Sequence, residues 1–519
     1  MKKNNLPLNF REKINSRISL LCSVVVLLLL VLVIHEIDYA MIRKPQKEAE
    51  AEALSEEQNE DSAETPQIST ASVIAVGDNL YHTRLYESGE YDSGIWNYDH
   101  IYTHILSQVQ AADVAMIDQE TVFTTDHDSV SSYPSFATPT EVGDAIIKAG
   151  FNVVESATNH IDDYMYDNLK ATLDFWSNNY PDITVLGIHA TQEDADTVKI
   201  KEVNGIKIAF LDYTYGTNNS GAGEGNEYMI DIFDKDKITA MIQKAKEISD
   251  CIIFVAHWGK EDETMPNEYE KQWATFLMEQ GVDVIIGGHP HVLQPYGCLS
   301  DDQGHSTTIF YSLGNFVSTQ QELPELLEGM ASFTIQKTVQ NGETSIQILS
   351  PEVKPMVMHY DYDSGEYGPY MLDDYTEELA SSHSVRDVIG DEFTLANLKA
   401  KFKEIMSMNV TPSTNTNLLN VKFDPYGNMT DKTTGESVED TESISAADYL
   451  ASSGNSSGSS DSNDNSDGSS DDSSSDGNDT YDSSYDSNYD DSNDDDSYDN
   501  SYDDSSYDEN YDSYDDSYE

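Results

Sequence analysis

The chain has 519 residues, with 96 Asp and Glu against 28 Lys and Arg, for a formal net charge of −68. So strong a polyanion repels phosphate backbones, and no basic patch relieves it, which excludes nucleic acid as a partner. Three cysteines are too few for a disulfide framework, and Cys22 lies within an apolar run.

Residues 1–17 carry Lys2, Lys3, Arg11, Lys13 and Arg17 and precede an apolar run of 17 residues, Ile18 to Ile34. At about 1.5 Å per residue this run reaches the short end of what spans a bilayer, and it exceeds the usual signal-peptide core of up to about 15 residues. No A-x-A cleavage pattern follows it. Residues 18–34 are therefore expected to form an uncleaved, single-pass signal anchor with the N-terminus cytoplasmic and the main domain extracellular. A cleaved signal peptide is the rival, and it exports the same domain. Residues 35–70 are polar and acidic and are expected to be a flexible spacer, since they have too little apolar surface to offset chain entropy.

Residues 71–350 have a globular composition in which short β-branched runs alternate with longer amphipathic ones. The order is "ASVIAVGD", a helix near "YDHIYTHILSQVQ", "DVAMIDQE", a helix at "PTEVGDAIIKAG", "FNVVESATNH", a helix through "NLKATLDFWSNN", and "DITVLGIHA". The alternation argues for an α/β domain with buried strands and helices on both sides. Asn204-Gly205 predicts a hairpin turn. A helix from Asp234, the strand "CIIFVAHWG", a helix through "EYEKQWATFLMEQG" and the strand "VDVIIGGHPHV" follow, and the later, more hairpin-like pieces predict a mixed sheet system. Cys251 opens a strand as a buried structural thiol. Residues 351–452 are expected to be a C-terminal appendage with an amphipathic helix at "TLANLKAKFKEIMSM" and a hairpin at "VKFDPYGNMTDKTTGE". The tail, 453–519, has 23 acidic residues and no Lys or Arg among 67, and is expected to be disordered. It reads as a spacer, a weak divalent-ion sponge, or a solvated tail without a specific partner.

Polar residues close the apolar runs: Asp78 in "VGD", Glu120 in "IDQE", Asn159 and His160 in "ATNH", His257 in "AHWG", and His289 and His291 in "GGHPH". In α/β sheets ligands bind beyond the carboxyl ends of strands, so these positions can share one crevice. Carboxylates, imidazoles and a carboxamide are donors for Mn, Fe, Zn or Mg rather than for a thiolate site. The two-residue spacing of His289 and His291 puts both rings on one face if the backbone is extended there. Singly, an Asp after Gly is usually a turn former and an Asn a helix cap; the same pattern at five strand ends is harder to dismiss.

The ordered set "VGDN", "DQET", "ATNH", "AHWG", "GGHPHVLQP" and "FYSLGNF", from about Ser72 to Phe316, resembles the CapA family of capsule or poly-γ-glutamate synthesis proteins, whose domain is similar to the calcineurin-like metallophosphoesterases. The resemblance implies a four-layer α/β/β/α sandwich with one or two divalent ions at the strand ends. It makes Asp78 and His291 ligands of one metal, His257 and His289 ligands of the other, Glu120 the bridge, and Asn159 a ligand of the second. His160 is then the general acid or electrostatic partner of the leaving group, oriented by Asp163. Three departures stand out. Leu80 occupies the position of a usual ligand histidine, so that ligand is missing or is supplied by His82. Thr158 replaces a commoner Asn, with no consequence expected, and Met165 replaces the Gly of "NHxxDYG".

The implied role is a membrane-anchored bacterial cell-envelope protein of capsule or poly-γ-glutamate synthesis or export. Its activity would be metal-dependent hydrolysis of a phosphoester or an amide, and the anionic polymer or other capsule-synthesis proteins would be its partners. The alternative is a non-catalytic polymer assembly or tethering protein that retains a metal site.

Overall fold

The computed structural model describes residues 30, 31 and 41, and residues 65–438 apart from 92, 93, 220, 302, 303 and 425–427. The basic segment 1–17, the anchor 18–34 save Leu30 and Val31, the spacer up to residue 64 save Met41, and the tail 453–519 lie outside the described residues. Among the described residues no helix is long and apolar enough to cross a membrane.

The first sheet begins with β1 (Gln67–Asn79), β2 (Val114–Asp118), β3 (Val153–Glu155) and β4 (Thr184–Val185). The end of the expected spacer, from Gln67, thus already belongs to β1. The second sheet follows with β5 (Lys199–Val203), β6 (Ile206–Thr214), β7 (Cys251–His257), β8 (Val284–Gly288), β9 (Tyr296–Ser300) and β10 (Ser306–Phe310). The chain then returns to the first sheet through β11 (Asn315–Val317), β12 (Leu327–Gln340), β13 (Glu343–Asp361) and β14 (Glu366–Met371). The eight-stranded sheet runs β14-β13-β12-β1-β2-β3-β4 with β11 beside β1, and the six-stranded sheet runs β9-β10-β8-β7-β6-β5. Both are mixed. The early strands pair in parallel and the later ones mostly as hairpins. The boundary expected at residue 350 falls inside β13, so residues to Met371 continue the first sheet.

Strand periodicity explains the layering. In β6 and β7, Ile208, Phe210, Ile253 and Val255 join a core shared with Val73, Ile117 and Val154 of the first sheet. Their alternating neighbours Ala209, Leu211, Ile252 and Phe254 face Ile242 of α3 and Trp273 and Leu277 of α4. The outer helices are α1 (Glu141–Ala149), α2 (Met165–Asn179), α3 (Lys235–Ile248) and α4 (Glu268–Glu279). Local signals set their ends. Helix α1 stops at Gly150, whose left-handed backbone (φ 116°) returns its N–H to Ile146 and Ile147. Helix α4 starts with a capping box in which Asn267 accepts from Glu270 N and Glu270 accepts from Asn267 N. The expected hairpin turns at Asn204-Gly205, both with positive φ, between β5 and β6. The expected helix near residue 100 is a 3-10 turn, Asp99–Ile105, before a short α-helix, Leu106–Ala111. In the C-terminal region, helix Leu395–Met406 and the paired strands Val421–Phe423 and Met429–Asp431 match the expected helix and hairpin.

Register brings the functional strand ends level. Asp78 pairs with Asp118 and Asp118 with Glu155 in one sheet, while Thr214 pairs with His257 and His257 with Gly288 in the other. The two sheets meet at Gly288, where a Cβ would lie 2.7 Å from Asp78 Oδ1 and 3.0 Å from Asp118 Oδ2. A side chain there would displace the Asp78 and Asp118 carboxylates, so their close approach to this strand suits glycine.

Candidate metal centre

Glu120, two residues past the end of β2, is fully buried between two imidazoles. Its Oε1 lies 3.8 Å from His257 Nε2, at the end of β7, and 3.8 Å from His291 Nε2, just past β8. His291 Nδ1 is 3.0 Å from Asp78 Oδ2 at the end of β1, and Asn159 Oδ1 is 2.8 Å from His257 Nε2. The ligand atoms of Glu120, His257 and His289 all lie within 4.8 Å of one another, and so do those of Asp78, Glu120 and His291. Glu120 is common to both groups. All six residues read from sequence as metal ligands therefore meet in one pocket, arranged as two adjoining cation positions.

The backbone that presents His289 and His291 differs from the extended one expected. Both residues are left-handed, with φ 94° and 58°. Such conformations cost about 1–3 kcal/mol each and persist when the surroundings over-determine them. Here Asp78 Oδ2 accepts from His289 N at 3.3 Å, and Pro290 O accepts from Asp262 N at 2.9 Å. The rings converge through this turn, with centroids 6.0 Å apart.

His160 and Asp163 form the expected pair, with Nδ1 2.8 Å from Oδ2. The same Asp163 oxygen accepts from Phe136 N at 2.7 Å, and the Phe136 ring packs edge-on against His160 at 4.8 Å. His82 is in neither group of mutually close ligand atoms, and its Nδ1 accepts from Thr319 N at 3.2 Å. Thr158, expected to be inconsequential, donates its hydroxyl to Glu120 O at 2.6 Å and so holds the bridging residue's backbone. Met165 has φ 57°, which is why glycine suits its position.

Sequence reasoning passed over three residues. Asp118 Oδ2 is 3.2 Å from His257 Nδ1, which leaves Nε2 facing Glu120 and Asn159. A carboxylate behind a ligand imidazole fixes its tautomer and orientation. The signal was available, because Asp118 and Glu120 have the same two-residue spacing as His289 and His291. Asn218 accepts from Asn159 Nδ2 at 3.3 Å and places its own Nδ2 3.2 Å from His160 Nδ1. It lies in a polar loop and carries no local signal. Glu261 brings a carboxylate oxygen within 4.8 Å of ligand atoms of His289 and His291.

The electrostatics favour positive charge. Burial raises Glu120 to about 7, against the pull of His291. Burial opposes charge on His291, but Glu120 and Asp78 outweigh it and raise this imidazole to about 10. Burial lowers His257 to about 3 and holds His289 well below the usual imidazole range. Both Glu120 carboxylate oxygens, Asp118 Oδ1 and His289 Nδ1 are buried without a hydrogen-bond partner among the described residues. Unpaired buried carboxylates are costly unless a cation or donor satisfies them. Nitrogen and oxygen donors in this arrangement fit a divalent ion of the Mn, Fe, Zn or Mg kind.

Fold and site together define an α/β protein of two mixed sheets, with a donor cluster compatible with a divalent-metal centre at the strand ends. Residues 72–320, just under half of the chain, match the sequence model of the family described as bacterial capsule synthesis protein PGA_cap. The PGA biosynthesis protein CapA of Bacillus subtilis is 34% identical over 170 residues, which are 33% of this chain and 43% of that protein. The capsule biosynthesis protein CapA of Bacillus anthracis is 31% identical over 180 residues, 34% of this chain and 42% of that protein. The match thus spans less than half the length of either relative. Among solved structures, a 5'-nucleotidase precursor from Thermus thermophilus aligns with TM-score 0.34 and 12% identity over 56% of this chain and 54% of that one.

Proposed function

We propose that the chain is a bacterial cell-envelope protein of capsule or poly-γ-glutamate synthesis or export, anchored in the membrane through residues 18–34, with a metallophosphoesterase-type domain that hydrolyses a phosphoester or an amide. The observation that carries the catalytic part is Glu120, buried with neither carboxylate oxygen hydrogen-bonded among the described residues, between His257 on one side and His291 with Asp78 on the other. Asp78, Glu120 and His291 would hold one ion, and Glu120, Asn159, His257 and His289 the other. Bound divalent ions supply Lewis acidity toward the scissile group and make water a competent nucleophile near neutral pH. The protein's own contribution is positioning and proton transfer. Burial opposes charge on His160, but its hydrogen bond to Asp163 and the nearby Glu120 outweigh it and raise its pKa above the ordinary value, which favours the protonated imidazole as proton donor to the leaving oxygen or nitrogen. Phe136 covers its ring and limits water.

A second reading, a polymer assembly or tethering protein with a non-catalytic metal site, draws support from Leu80, an apolar side chain where the resemblance implies a ligand. Elemental analysis of the purified full chain, with turnover of an aryl phosphate and of γ-glutamyl peptides, separates the two. The hydrolase reading expects bound metal, turnover of one substrate class, and a loss of about 10²–10⁴-fold in His160→Ala with metal retained. Metal without turnover supports the assembly reading, and a metal-free protein that does not take up added Mn2+ overturns the centre itself.

A further inference from the structure

The two cation positions are unequally furnished. Among the described residues, Glu120, His257 and His289 converge on one, with Asn159 Oδ1 2.8 Å from His257 Nε2, whereas Asp78, Glu120 and His291 converge on the other. Leu80, two residues beyond Asp78 and buried, offers no lone pair. Resting on the metal-centre reading above, we infer that Glu261 completes the Asp78–Glu120–His291 position as its remaining protein ligand, reaching it from the solvent side.

Glu261 is exposed, yet its segment is not free to wander. Trp258 N donates to Gly288 O at 3.1 Å, and the Trp258 indole donates to Tyr311 O at 2.9 Å. Asp262 N donates to Pro290 O, between the two histidines, and Gln294 Nε2 donates to Glu263 O, both at 2.9 Å. The segment turns through left-handed residues at Gly259 (φ 92°) and Asp262 (φ 66°). Stitched on both sides to the chain that carries His289 and His291, Glu261 holds its carboxylate within 4.8 Å of ligand atoms of both rings. A carboxylate is a suitable donor for the hard ions this oxygen-rich position favours. The competing donor, His82, has Nδ1 committed to Thr319 N.

The test is Mn2+ binding to the metal-stripped full chain, followed by the electron paramagnetic resonance of free Mn2+ and by elemental analysis after gel filtration. Wild type is compared with Glu261→Gln, His82→Gln and Lys260→Ala. The weak sites of the acidic tail are common to all four and cancel in the differences. The inference expects wild type to hold two ions, Glu261→Gln to keep one and bind the second about 10–100-fold more weakly, and the other two variants to match wild type. Unchanged binding in Glu261→Gln overturns the inference but leaves the metal centre standing. Weakening confined to His82→Gln overturns it in favour of that imidazole. A wild-type chain that binds no more Mn2+ than its tail accounts for overturns both.

Discussion

At the entry to α2, Tyr164 and Met165 are consecutive left-handed residues, with φ 61° and 57°. For L-residues this conformation costs roughly 1–2 kcal/mol each. The segment is held by Asp162 O, which accepts from Met165 N at 2.7 Å, and by Tyr164 Oη, 2.8 Å from Ser131 Oγ. Holding this turn fixes Asp163, and through it His160. Met165 is 47% exposed, so removing its side chain sacrifices little packing. Met165→Gly is therefore expected to stabilise the protein by about 0.5–1 kcal/mol, after allowing for the greater entropy glycine loses on folding. Thermal unfolding would show the gain as a rise of about 1 °C, and an unchanged or lower midpoint would refute the strain argument. The same remedy is closed to His289 and His291, where the left-handed backbone aims the ligands and glycine would delete them.

At the scale of elements, the connection after β4 is tied to the segment after β6 by a buried imidazole. His189 Nε2 is 2.7 Å from Asp231 Oδ2, its Nδ1 is 3.6 Å from Asp194 Oδ2, and Ile188 bridges Ile230 alongside. Burial alone would lower this histidine, but the neighbouring carboxylates of Asp194 and Asp231 raise it above its ordinary value. A raised folded-state pKa means that the protonated pair stabilises fully below the unfolded value of about 6.5 and fades as pH rises through the folded value. The midpoint difference between wild type and His189→Gln should thus be largest below about pH 6.5 and shrink as pH rises above it. A difference that is flat or grows with pH would contradict it. None of this linkage was legible in the sequence, because Asp194 and Asp231 are distant polar residues with no periodic signal. Strands, outer helices and the Asn204-Gly205 turn were legible, since alternation, caps and turn chemistry are local. The meeting of Asp78, Glu120, His257 and the His289–His291 pair was legible because parallel register forces strand ends into line. The left-handed histidine turn was not, since a two-residue spacing fits more than one backbone. The run of β13 through residue 350 was missed because its ladder partners, not its composition, make it part of the first sheet.

At the scale of the whole molecule, the proposed role sets a net charge of −68 beside an anionic polymer. Like charges repel over a Debye length of about 30 Å at 0.01 M salt and about 8 Å at 0.15 M. Encounter must then be mediated by cations or occur where screening has collapsed the repulsion. Binding of labelled poly-γ-glutamate to the full chain is therefore expected to strengthen as NaCl rises from about 10 to 150 mM, the reverse of what a basic receptor shows. A chain ending at residue 452 lacks the 23 acidic residues of the tail and should show a shallower salt dependence at the same final affinity. Fluorescence anisotropy across the salt series reads both quantities. Binding that weakens with salt in the full chain would mean that a local cationic surface, rather than screening or bridging ions, brings polymer and protein together.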